Sequence, residues 1–497
     1  MNPLKKLLGQ TAIYGLSSIV GRLLNYFLVP LYTYLLCTAE YGIVTEMYAY
    51  VGFFLIFLTY GMETGFFRFA QDNDKKKLYN SSLASLFVTS FLFIVLIFFF
   101  YKPIANLIGH EEVPQYVLWL GIIVAFDALS AIPFAKLRQE NKAKRFATIK
   151  VINICVNIFF NLFFIVLCPY LFENSQNTWV IECHLNEPWV GYIFVSNLIA
   201  SIITIILLLP EILQFSFNID IKLLKRLLIY SSPLLIAGLA GNANEMLDRI
   251  LLKYLLPENI AMSELGIYGA NYKVAIFMTL FIQMFRYAAE PFFFNQEKDK
   301  NSKKLYADVM KYFVLFGLLI FLGIMMYIDV VKHFIGPEFR SGLKIVPILL
   351  LANLFLGIVF NLSIWYKLNN LTKYGAYLAV FGATITVALN AWWIPIYGYM
   401  GSAWATLICY FAIMIASYFL GRKYFKIDYN IKLISAYLIF AIALYYISTL
   451  VGFDNNILKY LFNTFILFVF LAVVIYKEKL YKLLFNGNSI NRKDIKL

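Results

Sequence analysis

Charge is scarce in this chain, and acid is scarcer than base: 28 Asp and Glu stand against 42 Lys and Arg, together 14% of 497 residues. Soluble domains run near a quarter charged, so a water-soluble globular protein is excluded. The five cysteines (Cys37, Cys155, Cys168, Cys183, Cys409) show neither CxxC pairs nor framework spacing, which argues against a zinc ribbon or a disulfide scaffold. Cys155 and Cys409 fall in apolar runs as expected small core residues. Cys168 and Cys183 flank an outer loop that a bridge could close. His110, His184 and His333 are expected singly in outer loops, so no metal site is expected. His110-Glu111-Glu112 lacks the second histidine of a zincin helix, and no GxxxxGK[ST] loop is present to power ATP-driven transport. Asp72-Asn73-Asp74 runs into Lys75-Lys76-Lys77 with no α/β domain around it, and reads as a solvated cluster. Every connecting loop falls short of about twenty residues, leaving no room for a catalytic domain outside the membrane. Neither an enzyme nor a cofactor is expected.

What the chain has in abundance is apolar surface: 61% hydrophobic residues, 18% aromatic, and a mean hydropathy of +0.74. Apolar runs of about 20 residues, the length that crosses a hydrocarbon core, recur throughout. The expected fold is an all-α polytopic membrane protein of about fourteen transmembrane helices, with spans near 10–36, 43–62, 80–101 and so on to 229–255, 265–288 and 458–476. Lys5 and Lys6 before the first run mimic a signal peptide, but Arg22 interrupts that run and no small-x-small site follows. We read it as an uncleaved first span. Alternate loops are basic, including DNDKKK (72–77), KLRQENKAKR (136–145) and EKDKNSKK (297–304), whereas 173–189 carries almost no base. The bias assigns both termini to the cytoplasm. It also accounts for the net charge of +14 without a nucleic-acid partner.

EYGIVTEMYAYVGFFLIF from Glu40 echoes ELGIYGANYKVAIFMTLF from Glu264. At one offset of 224 residues, Glu40/Glu264, Gly42/Gly266, Ile43/Ile267, Tyr48/Tyr272, Phe53/Phe277 and Phe57/Phe281 coincide, and KKLY recurs at 76–79 and 303–306. A unit of six spans, being even, gives two parallel copies about an axis along the membrane normal, with a binding site expected between them near midplane. The expected organisation is an N-terminal six-helix lobe (1–227), a C-terminal six-helix lobe (228–420), and two further helices with a basic tail (421–497).

Charge in the middle of a span costs about 2.5–3.5 kcal/mol on insertion scales, so each such residue needs a reason. They are Arg22, Glu46, Asp127, Glu245, Asp248, Arg249, Lys253 and Lys273, with Arg68 and Arg286 at inner ends. In the seventh span Asn242, Glu245, Arg249 and Lys253 share a stripe. Aligning YLL at 34–36 with YLL at 254–256 sets Arg22 over Asn242 and Asn25 over Glu245. A shared hydrated cavity predicts such a match. Other readings stay open: Lys253 could snorkel to the interface, Asp248 and Arg249 could pair structurally, and Asp127 is either a hydrogen-bonded core acid or a site for a coupling ion. Helix breakers gather in the first span (Gly15, Gly21, Pro30) and the seventh (Pro233, Gly238, Gly241); they allow bending there and suit helices that line a cavity, although Gly and Pro are common in membrane helices.

TAIYGLSSIVGRLLNYFLVPLYTYLL, EYGIV, LDRILLKYLL…ELGIYGANYKVA and IPIYGYMGSAWATLI (394–408), in this order, resemble the Wzx-like polysaccharide or oligosaccharidyl-lipid flippases of the multidrug/oligosaccharidyl-lipid/polysaccharide exporter superfamily. The resemblance spans essentially the whole chain. It implies a V-shaped bundle in the bacterial inner membrane that moves undecaprenyl-diphosphate-linked oligosaccharide outward by alternating access, with lipids and other polysaccharide-assembly proteins as partners. Related members have a cationic lumen for the diphosphate. Here Arg22, Arg249, Lys273, Arg68 and Arg286, with Asn25, Asn242 and Glu245, are the candidates to line it. Coupling to H+ or Na+, seen in parts of the superfamily, rests on Asp127, Glu245 and Asp248. Two alternatives remain: a relative carrying a drug cation or a peptidoglycan lipid precursor and, least favoured, a membrane glycan polymerase or ligase.

Overall fold

The apolar runs become helices because a chain in hydrocarbon must satisfy every backbone N–H and C=O within itself. In the computed structural model, which describes residues 21–479 except Arg22, Gln71, 175–188, Phe217, 297–300 and Asn370, twelve helices are long and apolar enough to cross a membrane, or thirteen with one bent pair. With the shorter apolar helix Leu23–Leu35 they fall where the expected spans lie. They are α1 (Leu23–Leu35), α2 (Thr38–Phe69), α3 (Lys75–Leu107), α4 (Gln115–Gln139), α5 (Ala143–Leu171), α6 (Val190–Ile212) and α7 (Ile221–Leu255). Then come α8 (Glu258–Val274 with Ile276–Tyr287), α9 (Ser302–Met326), α10 (Pro337–Leu368), α11 (Lys373–Tyr397), α12 (Tyr399–Tyr424), α13 (Ile431–Leu450) and α14 (Asn456–Lys477). Inner and outer denote the faces that the basic loops assign to the cytoplasm and the exterior.

Side chains in the loops start several of these helices. Asp74 accepts from Lys77 N (2.8 Å) at the head of α3, Asp220 from Leu223 N (3.0 Å) at α7, and Asn430 from Leu433 N (3.2 Å) at α13. Each satisfies one amide that the helix itself cannot. The helices turn large apolar groups outward as well as inward: Phe91, Phe98 and Phe99 of α3 are more than half exposed. On a surface facing lipid no hydrophobic penalty attaches to that. Cys409 is buried, but Cys155, expected in the core, is exposed on α5, where a weakly polar thiol sits well in lipid. Cys183 lies outside the described residues.

Helix α7 continues without a break through Pro233, Gly238 and Gly241; a proline inside a spanning helix is tolerated where neighbouring groups satisfy the freed carbonyl. A break does occur in α8, with a 49° bend between Glu258–Val274 and Ile276–Tyr287.

The chain packs as two compact units. The first comprises the chain up to Lys273 together with Ala379–Ala405; the second comprises Val274–Leu378 with the chain from Thr406 onward. In the first, Met62, Phe66, Leu78 and Leu86 pack with Ile132 and Leu227 at the inner ends of α2, α3, α4 and α7. In the second, Phe293, Tyr306, Ile364 and Ile427 form an inner-end core.

Candidate functional site

Small residues let α2 and α8 meet backbone to backbone at their outer ends, within the first unit. A Cβ on Gly42 would overlap the carbonyl oxygen of Met262, and one on Gly266 would overlap that of Thr38. The contact is reciprocal, because Thr38/Met262 and Gly42/Gly266 are separated by the same 224 residues that relate the sequence copies. The hydroxyls of Thr38 and Ser263 are 2.7 Å apart beside it. The glycine match in the repeat thus marks a pseudo-twofold crossing. Glu40 and Glu264, also matched, do different work: Glu40 accepts from Cys37 N at 2.8 Å, whereas Glu264 faces Tyr399 N at 3.5 Å in the α11–α12 turn.

A buried charge network closes the same end. Glu46 of α2, fully buried, accepts from Lys253 Nζ of α7 at 2.8 Å, and His110 Nε2 in the α3–α4 loop lies 2.8 Å from its other oxygen. Lys253 also donates to the carbonyl of Ile108, and the hydroxyls of Tyr50 and Tyr254 are 2.9 Å apart nearby. His110, expected to stand alone, is therefore part of a cluster, and Lys253 does not snorkel. Spacing gave no signal for this trio because its members come from three separate segments. His184 lies outside the described residues.

Deeper in α7, Arg249 Nη1 lies 2.7 Å from Asp248 Oδ1 and also donates to the Glu245 carbonyl. Tyr268 donates to Asp248 Oδ2 at 2.5 Å, and the Tyr272 ring lies 4.2 Å from the guanidinium. Both members of the pair are buried, so Arg249 is electrically compensated in place. Lys273 forms no ion pair among the described residues; its ammonium stands 5.4 Å from the Tyr26 ring, with Arg249 and Glu245 as its charged neighbours. Glu245 and Asn25 are exposed, and Asn25 accepts from Asn157 at 3.4 Å. Asn242 packs against Gly52, its Nδ2 unpaired among the described residues. The structure thus gathers Lys273, Arg249, Asp248 and Glu245. At the inner ends Arg68 pairs with Asp72 (3.2 Å) and Arg286 lies 4.8 Å from the Phe360 ring, both exposed. Arg22 lies outside the described residues.

Asp127 belongs to a second place. A cavity of about 560 Å³ occupies the inner half of the first unit, lined by polar groups of α2, α4, α5 and α6. Ser201 donates to Asp127 Oδ1 (3.1 Å), Asn197 to the Tyr48 hydroxyl (2.9 Å), and Asn153 to Thr204 Oγ1 (2.9 Å). Lys150 supplies the opposite charge, its Nζ 4.1 Å from the Phe134 ring. An ion pair between Arg138 and Glu63 stands on its inner side. Lys150 escaped the sequence reading because, seven residues into α5, it looked like a loop charge at a span end. A space of this size with polar partners on its walls is roomy enough for water.

A family model described as "Polysaccharide biosynthesis protein" matches residues 7–295, more than half of the chain. No curated protein matches. Among solved structures the chain is similar to a lipid II flippase, MurJ, in an inward closed conformation: 17% identity, TM-score 0.72, covering 93% of this chain and 99% of that one. It is also similar to an inward-facing multidrug resistance MATE family transporter of the MOP superfamily (13% identity, TM-score 0.64, 83% and 94% covered). A MOP superfamily transporter from Pyrococcus furiosus matches at 13% identity and TM-score 0.54, over 83% and 95%. At such identities the likeness is one of fold. The chain is a multi-span membrane protein with the MOP-superfamily fold, and it belongs to the polysaccharide biosynthesis protein family.

Proposed function

We propose that the protein is a flippase that carries undecaprenyl-diphosphate-linked oligosaccharide across the bacterial inner membrane by alternating access, with both termini cytoplasmic. The cargo class follows the family. The reciprocal crossing at Gly42 and Gly266 carries the alternating-access part, since a contact built from matched residues of two repeats can close and part symmetrically. The diphosphate needs compensating positive charge once it leaves bulk water. Lys273 is the best placed group to give it, because Arg249 is already held by Asp248. Arg68 and Arg286 meet the anion at the inner side, Arg22 joins further along the path, and Asn25, Asn242 and Glu245 offer hydrogen bonds to sugar hydroxyls. H+ or Na+ coupling falls to Asp127, whose cavity can admit the ion. Glu245, exposed, is a weaker candidate, and Asp248 is committed to Arg249 and Tyr268.

One observation favours a second reading, transport of a peptidoglycan lipid precursor: the fold matches the lipid II flippase over 93% of this chain. Proteoliposomes containing the purified chain and either cargo separate the two. Faster transbilayer movement of lipid-linked oligosaccharide than in protein-free liposomes, lost in Lys273→Gln, supports the first reading. Movement of the peptidoglycan precursor alone supports the second, and movement of neither removes the flippase assignment.

A further inference from the structure

At the inner end of the second unit lies a cleft of about 420 Å³, remote from the groups considered so far. Its walls are the first turns of α9, which bring Lys303, Lys304, Asp308 and Lys311, and the α12–α13 connection, which brings Lys426 and Asp428. The carboxylates are already engaged. Lys311 Nζ is 2.6 Å from Glu478 and 3.5 Å from Asp308, and Lys426 is 3.5 Å from Asp428. Lys303 and Lys304, both exposed, have no acidic partner among the described residues. Lys303 Nζ is steadied 4.8 Å from the Phe425 ring, while Lys304 has nothing comparable. The Asn301 side chain does not cap the 25-residue helix α9, and its first amides add partial positive charge at the same point. The cleft is therefore a concave, net-positive space where spanning helices emerge on the basic face. That is the level of the phosphates in the cytoplasmic leaflet, where each Lys or Arg near an anionic surface contributes favourably.

We propose that this cleft binds the phosphate group of a membrane lipid, with Lys303, Lys304 and Lys426 as its cationic contacts. Two lipids carry that chemistry at this depth: a bulk anionic phospholipid, and the polyprenyl diphosphate of the cargo before it is taken up. The proposal uses the orientation adopted above but not the cargo, so it stands or falls on binding alone.

The test is native mass spectrometry of the full chain in detergent, titrated separately with phosphatidylglycerol, undecaprenyl diphosphate and zwitterionic phosphatidylethanolamine. In Lys303→Gln/Lys304→Gln/Lys426→Gln, binding of phosphatidylglycerol, undecaprenyl diphosphate or both falls at least about fivefold, while phosphatidylethanolamine, whose phosphate charge is balanced by its own ammonium, is unaffected. Lys102→Gln/Lys332→Gln/Lys344→Gln, which removes the same charge from the other face, leaves binding unchanged. A loss confined to undecaprenyl diphosphate identifies a cargo dock, one confined to phosphatidylglycerol a structural lipid site, and loss of both a shared phosphate site. Unchanged binding of both overturns the proposal, as does an equal fall in the outer-face variant. The three side chains are exposed, so the triple variant should fold; thermal unfolding checks this, and the single Lys304→Gln variant replaces it if it does not. Transport failing while the cleft still binds lipid would count against the flippase reading and leave this one intact.

Discussion

The outer end and the inner half of the first unit share α2 and differ in almost everything else. Outside, α2, α7 and α8 meet through glycine backbone and the buried trio of Glu46, Lys253 and His110. Inside, α2, α4, α5 and α6 border about 560 Å³ of space that Asp127 and Lys150 help to line. A dry ion pair is unforgiving, because either charge left alone is buried without compensation. A charge beside a wet cavity can be solvated, exchanged or neutralised at small cost. Under the alternating-access cycle proposed above, the outer end would serve as a gate and the inner half as the coupling compartment.

The largest expected effect comes from forcing the closed end apart. Gly42→Ala or Gly266→Ala puts a methyl group into a facing carbonyl, and overpacking of this kind costs about 1–3 kcal/mol or more. Transport in proteoliposomes should fall at least about tenfold, 1.4 kcal/mol being a factor of ten. Gly241→Ala, on α7 with nothing within 4 Å, should transport like the parent. Equal activity in all three would mean the crossing is not part of the working cycle.

Next in size is the ion pair. Lys253→Met leaves Glu46 buried with only the His110 imidazole beside it, a loss of up to about 3–5 kcal/mol for a broken buried pair, read as a lowered thermal unfolding temperature in detergent. Glu46→Gln combined with Lys253→Met should recover much of that loss, since neither charge then remains. A double variant less stable than both singles would show that the trio is not coupled as its distances imply.

These two tests also show what the sequence could reveal. The helices and their places were legible, because twenty-residue apolar runs and loop charge are local signals. The Gly42/Gly266 match was legible as an echo, but its meaning as a crossing was not, because nothing local says which carbonyl a glycine faces. Asp248 and Arg249 could be suspected as a pair from adjacency. The pairing of Lys253 with Glu46, and the place of loop residue His110 beside them, leave no local trace in the sequence, since the three are brought together only by packing across three segments. The same limit hid Lys150. Pro233 and its glycines do not break α7, whereas α8 breaks near Ala275, so a breaker permits an interruption without dictating one.

In the wet half the expected effect is on coupling rather than folding. Asp127→Asn keeps the hydrogen bond from Ser201 and removes the charge, so unfolding should shift by less than about 1 kcal/mol. What should go is any dependence of transport on an imposed H+ or Na+ gradient, checked in liposomes with and without that gradient. Gradient dependence that survives the substitution would move coupling to Glu245 or elsewhere.

The smallest effect belongs to an outer-face cluster that is solvated where the Glu46 trio is dry. In the α9–α10 connection of the second unit, the Lys459 ammonium, with Lys332 at 3.0 Å beside it, holds the Asp329 carboxyl below its ordinary range. A carboxylate depressed in the folded protein stabilises it above the unfolded pKa of about 3.9 and loses that contribution as pH falls through the folded value. Because water screens the group, Asp329→Asn should cost no more than about 1 kcal/mol near neutrality. The parent and variant unfolding temperatures should converge as pH drops below about 4. Lys253→Met compared with its parent over the same range should keep a larger gap at neutral pH, because its partner carboxylate is shielded from solvent rather than screened by it. If the two pairs proved equally costly to break, burial would not be what separates the Glu46 trio from the exposed cluster at Asp329.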